Sequence, residues 1–246
     1  YHAYYRPNRA TFIAVGDFDV DVMEGKIRAA FESWEPKAAD GPEPDLGTVQ
    51  PRGPQTSILV EPGIQSSIQL NWVRDPDLDP DTVAERRSNL IRNLGLAVLN
   101  RRLGEISRQD NAPIIAAGAS SSTVVDSLEI GGINATFNPG GWQRALETIE
   151  QEQRRLVQFG VSDAELQREI TDTRTALENA AAAAATRTTP GLVNGLLNAA
   201  NNQTVFTAPA TNLALFNQAV EGLTAAQVNS VLPPVFEGQG PVILVI

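Results

Sequence analysis

The sequence is 246 residues long, 42% apolar, and carries a formal net charge of -10 with a pI near 4.6. That size supports one large domain or two small ones with a sizeable core, and the acidic balance gives no overall attraction to nucleic acid phosphates or anionic lipid. The chain has no cysteine and one histidine, which excludes disulfides, thiolate metal sites and cysteine nucleophiles, and it has no apolar run near the roughly 20 residues of a membrane helix, so no membrane insertion is expected.

Residues 1–10 have neither an initiator Met nor a signal-peptide core, so the chain is expected to be a piece excised or processed from a longer protein. Ala10–Phe18 is a β-branched and apolar run closed by Gly16-Asp17 and reads as a buried strand. From Asp19 to Trp34 the apolar residues Val20, Met23, Ile27, Ala30, Phe31 and Trp34 recur at helical spacing, with Asp19 and Asp21 near the positive end. Between Glu35 and Gln55 stand Pro36, Pro42, Pro44, Pro51 and Pro54 with Gly41, Gly47 and Gly53, a composition that denies helix and central strand and predicts a linker.

Thr56–Glu61 and Ser66–Arg74 read as a strand pair joined by Pro62-Gly63, the second alternating Ile68, Leu70 and Trp72 with Gln69 and Asn71. Asp81 is a candidate cap for a helix to about Gln109, weakened by Gly95 and Gly104 and apolar on more than one side, as a central helix would be. Ile114–Val124 and Ser127–Asn138 are two further strands, and Asn138-Pro139-Gly140-Gly141 precedes a helix over Trp142–Phe159 that Gly160 ends. Ser162 and Glu165 match a capping box opening a helix through Ala180–Ala185 to the stop at Thr188-Thr189-Pro190. Helices follow at Leu192–Asn201, Asn212–Val220 and Ala225–Val231, then a strand at Val242–Ile246 that faintly repeats the outline of Thr11–Val15.

Tyr4-Tyr5-Arg6-Pro7-Asn8 followed by Phe12-Ile13-Ala14-Val15-Gly16-Asp17-Phe18-Asp19 resembles the join between the first and second modules of insulinase/pitrilysin-type proteins. Leu99-Asn100-Arg101-Arg102-Leu103-Gly104-Glu105-Ile106-Ser107-Arg108 is similar to the helix after the first hairpin of the second module, and the element order from Thr56 to Ile246 matches as well. The resemblance implies an α+β fold: a two-layer sandwich with a mixed, largely antiparallel sheet and helices mainly on one face, the mitochondrial-processing-peptidase-like metallohydrolase fold. Residues 1–35 would be the closing strand and helix of a preceding module, 36–55 the Pro/Gly-rich linker, and 56–246 a non-catalytic peptidase-family module.

Peptidases of this type bind zinc through His-x-x-Glu-His, two imidazoles flanking the turn that carries the water-activating glutamate. That motif is absent here, and His2 has no second histidine to pair with. Members also carry, in a module remote in sequence, an Arg and a Tyr seven residues on that reach the substrate carbonyl. Arg108 stands where that Arg would fall, but seven residues on is Ile115, which has no hydroxyl to donate to an oxyanion. Arg108 therefore reads first as a cation at a helix C-terminus or a salt-bridge partner, and is retained as a candidate substrate contact.

Ser120-Ser121-Ser122 lacks a His base and reads as a strand end or turn, and Asp75, Asp77, Asp79 and Asp81, broken by Pro76 and Pro80, read as a solvated turn rather than a calcium loop. Arg86, Arg87, Arg92, Arg101, Arg102 and Arg108 give the long helix a basic bias that suits a solvated face or an acidic partner. The resemblance implies a non-catalytic module of a bacterial zinc metallopeptidase, holding no cofactor itself and with the zinc elsewhere in the parent protein. It would wall a substrate chamber, with other modules of the same protein and a peptide substrate as partners, in the periplasm. The alternatives are an inactive scaffold subunit of the same fold and an unrelated α+β binding domain, the latter requiring that the two strand pairs not share one sheet.

Overall fold

The computed structural model describes residues 1–246. Along the chain the elements are α1 (Val20–Phe31), β1 (Gln55–Ile58), β2 (Ser67–Arg74), α2 (Val83–Ser107), β3 (Ala116–Val124), β4 (Leu128–Thr136), α3 (Trp142–Phe159), α4 (Asp163–Ala182), α5 (Thr189–Asn201), α6 (Pro209–Val220), α7 (Ala225–Val231) and β5 (Gln239–Val245). Short 3-10 turns lie at Pro7–Arg9, Ala184–Thr186 and Pro233–Phe236. The chain falls into two units, Tyr1–Asp45 with Ala182–Ala208, and Leu46–Ala181 with Pro209–Ile246.

The second unit holds all five strands, in the order β1-β5-β2-β4-β3. Three neighbouring pairs are antiparallel and β1–β5 is parallel, so the sheet is mixed and largely antiparallel, as expected. Ile68 lies opposite Ala135 and Val245, and Leu70 opposite Ile133 and Ile243, with Ala119 beyond Ile133. Strand side chains alternate between faces, so this register puts those residues on one face, which joins Val98, Leu99 and Leu103 of α2 and Ile149 and Leu156 of α3 in a single core. The other face carries Gln69, Asn71, Asn134, Gly118 and Ser120. A sheet with one apolar face and helices against it is the expected two-layer α+β sandwich.

The predicted pairing of Thr56–Glu61 with Ser66–Arg74 does not form. β5 lies between them: Ser67 N–H donates to Ile246 O at 3.0 Å, and Ile246 N–H to Ser67 O at 2.9 Å. The physical reason is composition. Val242-Ile243-Leu244-Val245 suits a strand with neighbours on both sides, whereas Gln55-Thr56-Ser57 tolerates an exposed edge.

Gly95 does not break α2, which runs unbroken for 25 residues. A Cβ at Gly95 would stand 2.5 Å from Leu232 Cδ2, so the glycine lets buried Leu232 press against the helix. Thr82, not Asp81, caps α2, its hydroxyl accepting from Glu85 N–H at 3.1 Å, while Asp81 pairs with Arg86. In α4 the predicted box forms in both directions: Glu165 N–H reaches Ser162 Oγ at 3.4 Å, and Ser162 N–H reaches Glu165 Oε2 at 2.9 Å.

In the first unit α1 is capped by Asp19, whose carboxylate accepts from Val22 N–H at 2.9 Å, and α1 buries no residue. The strand expected over Ala10–Phe18 is not present. An extended segment becomes a strand only with a ladder partner, and the rest of this unit is helix, turn and loop. The predicted linker carries no helix or strand between Trp34 and Pro54.

Candidate functional site

The only histidine, His2, is exposed and lies edge-on to Tyr1. With one imidazole and no thiolate the donor set does not fit a two-imidazole zinc site of the His-x-x-Glu-His kind. The one place where three carboxylates approach one another is Asp77, Asp79 and Glu85, within 4.8 Å. Asp77 there accepts from Asp79 N–H at 3.0 Å and Glu85 from Asn89 at 2.8 Å. Asp75 is elsewhere engaged, accepting from Val49 N–H at 3.3 Å, so the aspartate row in the sequence does not converge on one point.

Of the arginines on the long helix, Arg86, Arg92, Arg101 and Arg102 pair with carboxylates of this chain, while Arg87 is exposed. Arg102 forks onto Glu165 at 2.7 and 2.9 Å and also reaches Gly160 O at 3.0 Å. This guanidinium is the main reason the Glu165 carboxyl is pulled down to about 2; Ser162 adds to it against the opposing effect of burial. Arg101 binds Glu169 and, at 2.6 Å, Asp172, and its own pKa is raised by those partners. Arg101, Arg102, Glu165 and Glu169 line a cleft of about 140 Å3 between α2 and α4.

A second ionic cluster sits where the core face of the sheet ends. Glu129, 4% exposed, accepts from Arg74 at 2.5 and 3.1 Å and from Ser121 Oγ at 2.7 Å, with Arg92 at 3.5 Å. Burial opposes ionisation of Glu129, but Ser121, Arg74 and Arg92 together outweigh it and hold the carboxyl below its ordinary range. Ser121 is thus a structural donor rather than a nucleophile. Sequence reading missed Glu129, although its parity with Gly131 and Ile133 in β4 places an acid on the core face, and an acid there requires a cationic partner.

Arg108 is the C-cap of α2, exposed and without a carboxylate partner, and a Cβ on Gly104 would lie 3.5 Å from its Nη1, so the side chain folds back along the helix. Ile115 is 51% exposed just before β3. The sheet has two edges, β1 and β3. On β3, the Asn100 side chain accepts from Ala119 N–H at 2.6 Å and donates to Ala119 O at 3.1 Å, taking the place of a neighbouring strand's peptide. The β1 edge has no such cover: all four of its residues are exposed, and Leu59 and Val60 continue the exposed run.

These features define an α+β module on one mixed sheet, with a single exposed imidazole and ionic clusters around Glu129 and Glu165. The model of the family described as the peptidase M16 inactive domain matches residues 1–172, and the chain belongs to that family, as the C-terminal, non-catalytic module of insulinase- and pitrilysin-type proteins. No curated protein matches the chain. Among solved structures it is similar to the periplasmic protease PqqL from Escherichia coli, with 19% identity over 99% of this chain and 27% of that one and a TM-score of 0.86. The first half of PqqL gives 19% identity, 99% and 52% coverage and a TM-score of 0.87. An insulinase-family protease assigned by prediction, from Yersinia pestis, gives 18% identity, 94% and 50% coverage and a TM-score of 0.69. At these identities the likeness is one of fold, and the chain spans only about a quarter to a half of the proteins it matches.

Proposed function

We propose that the chain is the second, non-catalytic module of a bacterial zinc metallopeptidase, walling the chamber in which the full-length protein encloses and cleaves a peptide. The observation that carries this reading is the donor set: a member of a peptidase family with a single exposed imidazole leaves the metal to another module of the same protein. In this reading residues 1–35 complete a preceding module, 36–55 are the linker and 56–246 the supporting module, and the setting is the periplasm, as for PqqL. Peptide would add as a strand to the uncovered β1 edge, where backbone pairing gives affinity with little sequence demand. Arg108, exposed and unpaired at the end of α2, would meet the peptide's carbonyls or acidic groups.

The test compares the full-length parent with this chain for zinc content by atomic emission and for cleavage of a quenched fluorescent peptide. The parent is expected to hold equimolar zinc and to cleave, and this chain to do neither. A parent without zinc or cleavage would instead make the module part of an inactive scaffold. Hydrolysis by the chain alone would overturn the assignment outright.

A further inference from the structure

The side chains of the Tyr4-Tyr5-Arg6-Pro7-Asn8 segment, and of Arg9 after it, converge on one short stretch of the linker. Arg6 Nη1 donates to Ala38 O at 2.6 Å, Asn8 Nδ2 to Asp40 Oδ2 at 3.1 Å and Arg9 Nε to Asp40 Oδ1 at 3.1 Å, with Arg6 Nε 3.5 Å from the same carboxylate. Arg9 Nη2 also reaches Gly41 O at 3.2 Å and Glu43 at 2.6 Å, and Gly41 N–H donates to Ala3 O at 3.0 Å. The Tyr4 ring covers Gly41 so closely that a Cβ there would lie 2.7 Å from Tyr4 Cζ. Pro7 opens the 3-10 turn Pro7–Arg9, which sets the chain between these donors.

The far end of the linker is tied separately. Val49 N–H donates to Asp75 Oδ1 at 3.3 Å and Arg52 N–H to Gln239 Oε1 at 2.6 Å, both next to the sheet. We infer that Tyr4–Arg9 is a clasp for the linker head Ala38–Glu43, making the Pro/Gly-rich stretch a strap fastened at its head and again at its tail, and that the head anchor lets go independently of the tail. Its ion pairs are open to solvent: the Asp40 side chain is 44% and that of Glu43 80% exposed. Such pairs weaken at high salt, where the screening length falls to about 3 Å at 1 M. The tail anchors use backbone donors and are far less sensitive. This inference does not depend on whether the parent protein is a peptidase.

Amide hydrogen exchange and proton shifts measured by NMR on the whole chain test it. At low salt the Gly41 amide is expected to exchange more slowly than a free-chain amide, and the Gly41 Hα resonances to lie upfield under the Tyr4 ring. Asp40→Ala, or 1 M NaCl, should each speed Gly41 exchange by about three- to tenfold, the worth of a few exposed pairs, while the Val49 and Arg52 amides keep their rates. Gly41→Ala, which changes no charge but crowds Tyr4, should abolish the tyrosine's contact and speed exchange at residue 41 as well. Free-chain exchange at Gly41 in the native protein, indifference to both Asp40→Ala and salt, or loss of Val49 and Arg52 protection together with Gly41 would each overturn the clasp.

Discussion

Gly95 shows how a single residue can satisfy a demand opposite to its local propensity. Alanine is favoured over glycine in a helix interior by about 1 kcal/mol, and α2 is long enough that this gain would be realised in full. Against it stands Leu232, 1% exposed, with Cδ2, Cδ1 and Cγ at 2.5, 2.8 and 3.0 Å from where the new carbon would sit. A buried side chain in a close-packed core has nowhere to move, and overpacking costs about 1–3 kcal/mol. Gly95→Ala is therefore expected to lower stability by about 1 kcal/mol net, read as a lower urea midpoint with an unchanged slope; a higher midpoint would mean that Leu232 can give way. Composition alone flags Gly95 as a weak point of the helix, since the residue it faces lies far away in sequence.

At the scale of elements, what was legible in the sequence was whatever depends on neighbours in sequence. The Pro/Gly turn before it and Gly160 after it placed α3 with its observed bounds, α7 also keeps its expected bounds, apolar residues on more than one side marked α2 as a central helix, and the Ser162/Glu165 box formed as written. Strand order was not legible, because β1 and β2 are close in sequence while the strand between them comes from the chain's end. The run at Ala10–Phe18 has the composition of a strand and lacks only a partner, which composition cannot report. The candidate site was legible mainly as a deficit, one histidine and no cysteine, while Glu129 and Asn100 acquire their roles only from the register and from where α2 meets β3.

Asn100 gives the element scale its test. By bonding both backbone groups of Ala119 it closes the middle of an edge that would otherwise offer a template to another strand. Asn100→Ala should cost about 1–2 kcal/mol, two hydrogen bonds partly replaced by water. It should also make the Ala119 amide exchange faster and raise the tendency to self-associate, measured by sedimentation. Unchanged Ala119 exchange would show that the amide does not guard this edge.

For the whole molecule, acid is the condition under which the internal ion pairs should matter most. Glu165 joins α4 to α2 through Arg102, and its carboxyl is lowered from an ordinary 4.5 to about 2, so the folded form holds the proton less readily than the unfolded chain does. A depressed carboxyl stabilises the fold fully above its unfolded pKa, and that stability drains away as pH falls from about 4.5 toward about 2. A shift of that size in a fully buried group is worth roughly 3 kcal/mol; with the Glu165 side chain 32% exposed, solvent screening reduces the expectation to about 1–2 kcal/mol. Glu129 and Asp40, also lowered, act in the same direction, Glu129 in the sheet and Asp40 in the clasp. Urea midpoints of the native chain and Glu165→Gln should therefore differ clearly at about pH 7 and draw together as pH falls toward about 3, because the native chain loses what the variant never had. Parallel pH profiles would mean that Arg102 and Glu165 hold the two helices by shape and hydrogen bonding alone, with no net contribution from the charge.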